Sequence, residues 1–97
     1  MIQSFGDAGT EDLFNGKRTK AARKLLPVEL HRSAWRKLDY LDRAPSINVV
    51  GMLPGNRLEA LKGGLKGYWS IRINEQYRII FQWLEGHALD VRIVDYH

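Results

Sequence analysis

The alternation between Tyr68 and Asp95 constrains this chain most. In Tyr68–Asn74, Trp69, Ile71 and Ile73 alternate with Ser70 and Arg72. Past Asn74-Glu75-Gln76, residues Tyr77, Ile79, Phe81 and Trp83 share one face, with Arg78, Ile80 and Gln82 on the other. Past Glu85-Gly86, Leu89, Val91 and Ile93 turn the same way in Ala88–Asp95. A period of two belongs to a strand with one buried face. Turn residues between such runs make an antiparallel meander of at least three strands. Leu58–Lys62 reads as a further short strand, joined through the Gly63–Gly67 turn.

A sheet with one apolar face needs a cover. Pro27 suits the first position of a helix. Leu30, Ala34, Leu38 and Leu41 then form one apolar stripe, which Trp35 widens as a core residue. The spacing predicts a helix from Pro27 to about Ala44, stopped by Pro45, with Arg32, Arg36, Lys37 and Arg43 in solvent. Ahead of it, Ile2–Phe5 reads as a short strand, and Thr10 as the cap of a short helix that Gly16 follows. Residues 45–57 read as a loop with a turn at Pro54-Gly55-Asn56. Its Val49, Val50, Met52 and Leu53 predict that it lies across the core or against a partner. The fold class is therefore α+β: one domain over residues 1–97, with an N-terminal short strand and helices packed on a C-terminal antiparallel sheet.

Composition excludes several functions. Ninety-seven residues, 44% hydrophobic and 27% charged, are globular but too few for a cofactor domain plus a substrate domain. Without cysteine there is no disulfide scaffold, thiolate zinc site or cysteine nucleophile. No phosphate-binding glycine motif or His/Asp/Glu set at metal spacing occurs, so chemistry is expected without metal or cofactor. The longest apolar run, Ile79-Ile80-Phe81, excludes a membrane-spanning helix. No hydrophobic leader follows Met1, and a cytoplasmic location is the expectation.

The charge is segregated. Between residues 17 and 37, Lys17, Arg18, Lys20, Arg23, Lys24, Arg32, Arg36 and Lys37 face Glu29 alone, whereas the whole chain carries only +4. Such a segment is either a solvated helix face or an attachment for phosphate backbones. On the sheet, the alternation places Arg72 and Arg78 outward on adjacent strands, with Arg92 outward on the next. Guanidiniums so close repel one another unless an anion lies between them or each pairs with a carboxylate such as Asp90 or Glu75.

Gly55-Asn56-Arg57-Leu58-Glu59-Ala60-Leu61-Lys62-Gly63, then Gly67-Tyr68-Trp69-Ser70-Ile71-Arg72-Ile73-Asn74, then Gln76-Tyr77-Arg78-Ile79-Ile80-Phe81 and Asp95-Tyr96-His97 together resemble the HigB-type toxins of the RelE/ParE-like superfamily. The resemblance covers essentially the whole chain. It implies a RelE-like toxin fold and a ribosome-dependent mRNA endonuclease acting in the A site of the 70S ribosome. It also implies a HigA-type helix-turn-helix antitoxin that neutralises the toxin and alone brings the pair to operator DNA. The family's active-site positions fall on Lys62, Arg78, Asp95, Tyr96 and His97. Where well-studied members carry histidine three residues before the lysine, this chain carries Glu59: a catalytic base, a partner for Arg57 or Lys62, or an exposed residue. Lys20, Arg23, Lys24 and Arg32 become candidate contacts to ribosomal RNA, with Arg72 and Arg92 beside the catalytic face. A ParE-like toxin acting on gyrase and a weak toxin acting as co-repressor are the competing readings.

Overall fold

The computed structural model describes residues 1–96, ordered as four helices followed by four strands. Helices α1 (Ala8–Phe14), α2 (Lys20–Leu25), α3 (His31–Arg43) and α4 (Ile47–Gly51) precede β1 (Glu59–Ala60), β2 (Tyr68–Arg72), β3 (Tyr77–Leu84) and β4 (His87–Asp95). The strands pair antiparallel in chain order, which is the expected meander. Asn74 fixes the β2–β3 turn, its Oδ1 accepting from the backbone N–H groups of Gln76 and Tyr77. The helical layer covers one face of the sheet. Leu38, Leu41, Val50, Ile71, Ile79, Phe81 and Val91 are fully buried between the two layers. At roughly 25 cal/mol per Å² of apolar area, this burial dominates the stability.

Several elements differ from the sequence reading. The segment Pro27–Ala44 is not one helix. Pro27 is extended, its carbonyl accepts from Leu30 N–H at 2.9 Å, and a 3-10 turn over Val28–Leu30 leads into α3. Trp35 is not core. It is 42% exposed on the flank of the stripe, and its Nε1 donates to the Phe14 carbonyl at 3.1 Å. Lys37 is not solvated: half-buried, it donates to Gly55 O and to Asn56 Oδ1. Residues 45–57 contain α4, capped by Ser46, and a 3-10 turn at Pro54–Asn56. Val50 enters the core while Met52 and Leu53 stay exposed. Of Leu58–Lys62 only Glu59–Ala60 is strand.

The N-terminus and β4 explain each other. Ile2–Phe5 is not a strand but makes two isolated parallel bridges to β4, Ile2 with Ala88 and Phe5 with Val91. Between those bridges β4 bulges. Gln82 pairs with Leu89 and Ile80 with Arg92, and Asp90 takes φ 51°. The extra residue reverses the alternation. Ala88, Val91 and Ile93 face the core, and Leu89, expected there, sits opposite Gln82 on the other face.

Thr10 is not the cap of α1. Asp7 is, its carboxylate accepting from Thr10 N–H at 2.6 Å. The Thr10 hydroxyl, fully buried, accepts instead from Ile93 N–H at 3.0 Å on the outer edge of β4. Thr10→Val keeps the shape but strands this buried donor, so stability measured by urea unfolding is expected to fall by about 1–3 kcal/mol.

Candidate functional site: a buried arginine on the outer sheet face

The face of the sheet away from the helices is not a plain solvated surface. Ser70, Arg78 and Ile80 point into it, and with Leu61 they are buried. Arg78 is the unusual member. It is 8% exposed, lies near the end of the sheet opposite Arg72 and Val94, and carries a charge that burial penalises unless it is paired.

The pairing comes from three directions. Glu59 of β1 reaches across to Arg78 Nη1 at 3.2 Å. Arg78 Nη2 donates at 2.7 Å to the carbonyl of Arg57, a residue held in the left-handed region at φ 45°. The ring of Tyr96 lies 5.4 Å from the guanidinium carbon, within cation–π range. Arg78 Nε and Ser70 Oγ, both buried, have no hydrogen-bond partner among the described residues. This face therefore retains unspent polar capacity.

Lys37 completes the cationic field from the helical layer. Its ammonium holds the Pro54–Asn56 turn, whose Asn56 side chain, buried, donates in turn to Val50 O at 2.9 Å. Burial, then the charges of Arg72 and Arg78, push the Lys37 pKa below the ordinary lysine value. Sequence reasoning missed Lys37, Asn56 and the Arg57 carbonyl. A lysine off the apolar stripe and a Pro-Gly-Asn turn carry no signal that each will be buried by the other.

Two clefts open on this arrangement. One, of about 430 Å³, is lined by Arg57, Glu59, Arg72, Arg78 and Tyr96 among others; the second, of about 420 Å³, includes Glu59, Lys62 and Tyr96. Glu59 and Tyr96 border both. The structure thus gathers Glu59, Lys62, Arg78 and Tyr96, with Arg72 at the rim paired loosely to Glu75 at 3.8 Å.

The remaining candidates fall elsewhere. Asp95 pairs in register with Tyr77, one residue out of phase with Arg78, and accepts from Gln76 Nε2 at 3.1 Å. His97 lies outside the described residues. Arg92 is drawn off by the bulge: its guanidinium pairs with Asp90 at 2.7 Å, and Tyr68 OH donates to the same carboxylate. Lys20, Arg23 and Lys24 are exposed on α2, and Arg32 is exposed on α3, in the helical layer away from the Arg78 face.

Comparison with known proteins identifies the family. Residues 3–97 match the family model described as RelE-like toxin of type II toxin-antitoxin system HigB. The chain belongs to the HigB-like toxin family. It is 40% identical to Toxin HigB-1 of Vibrio cholerae over 90 residues, covering 93% of this chain and 92% of that one. It is 32% identical to Endoribonuclease HigB of Proteus vulgaris over the full length of both chains. Among solved structures it resembles the YoeB toxin in the YoeB-YefM complex of Staphylococcus aureus. There the TM-score is 0.60 at 18% identity, over 100% of this chain and 98% of that one, a likeness of fold. The expected family and the α+β toxin fold are thus borne out.

The Tyr68–Asp90–Arg92 cluster gives this HigB-like chain a pH signature. Hydrogen bonds from Tyr68 and then Arg92 hold the Asp90 carboxyl below its ordinary value of 3.8. A depressed carboxylate stabilises the fold above its unfolded pKa and loses that contribution as pH falls through the folded value. Asp90→Asn tolerates the positive φ. It is expected to be less stable than the parent at neutral pH, with the difference shrinking as pH drops below 3.8 in thermal melts.

Proposed function

We propose that this HigB-like toxin is a ribosome-dependent mRNA endonuclease. It cuts mRNA in the ribosomal A site by attack of a ribose 2′-OH on the adjacent phosphorus, without a metal. The observation that carries the reading is the buried Arg78, held on a concave face by a carboxylate able to leave it. The Proteus vulgaris relative named an endoribonuclease supports the same class of reaction.

The attack creates a phosphorane with extra negative charge and expels the 5′ oxygen, leaving a 2′,3′-cyclic phosphate. Arginine presents a planar fork to two phosphate oxygens. In the free protein Glu59, half-exposed, holds one arm of that fork, Nη1, and the Arg57 carbonyl holds Nη2. An entering phosphate competes with Glu59, and the displaced carboxylate is then close enough to serve the 2′-OH. Lys62 adds a point charge from the neighbouring cleft, and Tyr96 stacks on a base. His97 transfers a proton, its ordinary pKa near ~6.5 suiting that role, and Asp95 orients it. Lys20, Arg23, Lys24 and Arg32 attach the toxin to ribosomal RNA phosphates, and Arg72 guides the message toward the catalytic face, while Arg92 is held by Asp90. The expected partner is a HigA-type helix-turn-helix antitoxin, through which the pair reaches operator DNA; the solved YoeB-YefM complex supports an antitoxin partner.

Arg78→Lys loses the fork but keeps the charge, and is expected to lower cleavage by about 10²-fold, as for other preorganised donors. Primer extension on mRNA after brief induction checks this beside His97→Ala. New 5′ ends inside translated frames, weakened in both variants and absent when translation is blocked, are the expected result. Arrested growth with unchanged transcripts would sink the nuclease reading and favour a gyrase target.

A further inference from the structure

A second cleft, on the helical layer, has a composition that the Arg78 face does not explain. It holds about 300 Å³ between α1 and α3, with Leu13 and Trp35 lining it and Lys17, Arg18 and Arg32 among its other walls. Among the described residues, no carboxylate lines it. These are the cations of the segment that gives the chain its positive charge, and all three are exposed.

Trp35 is the decisive residue. Trp35 is 42% exposed, beside the buried stripe of Ala34, Leu38 and Leu41 on the same helix. Its one donor is already committed, since Nε1 bonds the Phe14 carbonyl. That bond anchors the indole edge and leaves the ring as an apolar plane without hydrogen-bonding demands. A flat π surface bordered by cations is the arrangement by which proteins hold unpaired nucleotides, through base stacking and phosphate neutralisation. An acidic peptide would satisfy the cations but has no planar group matched to the ring. The volume lies at the lower end of small-ligand sites, the scale of one nucleotide.

We propose that this cleft binds one unpaired nucleotide of single-stranded RNA, the base stacked on Trp35 and the flanking phosphates among Lys17, Arg18 and Arg32. The site is separate from the cleaving face, and would bind RNA even if Arg78 did no chemistry. It makes the toxin a two-point RNA binder, gripping one strand on its helical layer while the sheet face engages another.

The test is fluorescence titration of the full chain with a short 2′-O-methyl oligoadenylate. This probe lacks the 2′ nucleophile, so binding is read without cleavage. The indole emission is expected to be quenched, with affinity falling as salt rises. Trp35→Leu is expected to bind about five- to one-hundred-fold more weakly, while Trp35→Phe, which keeps a π face, retains most of the affinity. Arg18→Gln, at an exposed position, is expected to reduce the log–log salt slope by about 0.7, the loss of one phosphate contact. Circular dichroism and melting temperature establish that each variant is folded. A folded Trp35→Leu that binds the probe like the parent would overturn the proposal. So would a poly-glutamate peptide that binds as tightly with the same dependence on Trp35, which would make the cleft an acidic-segment site.

Discussion

A guanidinium buried on an inner strand has five N–H donors and a charge to satisfy. Much of this molecule is arranged around that demand. Arg78 sits on β3, which has a neighbour on each side, so its acceptors come from above the sheet. The chain after α4 supplies two of them in quick succession: the Arg57 carbonyl and, two residues on, the Glu59 carboxylate. Arg57 reaches that position only in a left-handed conformation, which is costly for a side chain with a Cβ. Asn56 and Lys37 hold the preceding turn against this cost, one bonding Val50 O and the other bonding Asn56 itself. Tyr96 closes the guanidinium from the far end of β4.

The same strand serves the other layer. Ile79 and Phe81 alternate with Arg78 and Ile80, and none of the four is exposed. β3 thus carries an apolar core on one side and a charged cluster on the other, one residue apart. A shift of register by one position would place the guanidinium among the leucines of α3. The polar cluster and the core therefore specify a single pairing together. Arg72 is treated differently: at the end of β2 it keeps only a loose, partly solvated contact with Glu75 and contributes charge more than structure.

Much of this was legible in the sequence. The meander, its turns and the apolar stripe of α3 follow from periods of two and 3.6 and from the placement of proline and glycine. The outward direction of Arg72 and Arg78 follows from the same alternation, and the resemblance supplied Lys62 and Tyr96. What failed to show has a common cause. The β4 bulge adds one residue, and alternation counted along the chain has no means of detecting it; Leu89 was misplaced for that reason, while Arg92, beyond the bulge, faces outward as expected. Trp35 belongs to the helical period, but the period does not say that α1 stops short of covering it. Thr10, Lys37 and Asn56 matter through partners that lie 83, 19 and 6 residues away respectively. Pairings of that kind appear only once the backbone is closed.

The hydrogen bonding of the N-terminal segment bears on how such a protein accumulates. An open strand edge presents a ladder of bare amides and carbonyls to any other chain, including a newly made copy. Along the outer side of β4, the amides of Ala88, Asp90, Val91 and Ile93 are taken by Met1, Ser4 and Thr10. The opposite border is a strand only two residues long. Neither margin offers a template for strand exchange or fibrillar growth. A chain with this much β structure is thereby shielded from pairing with itself along β4, by a few N-terminal residues that lie outside the cleft around Arg78.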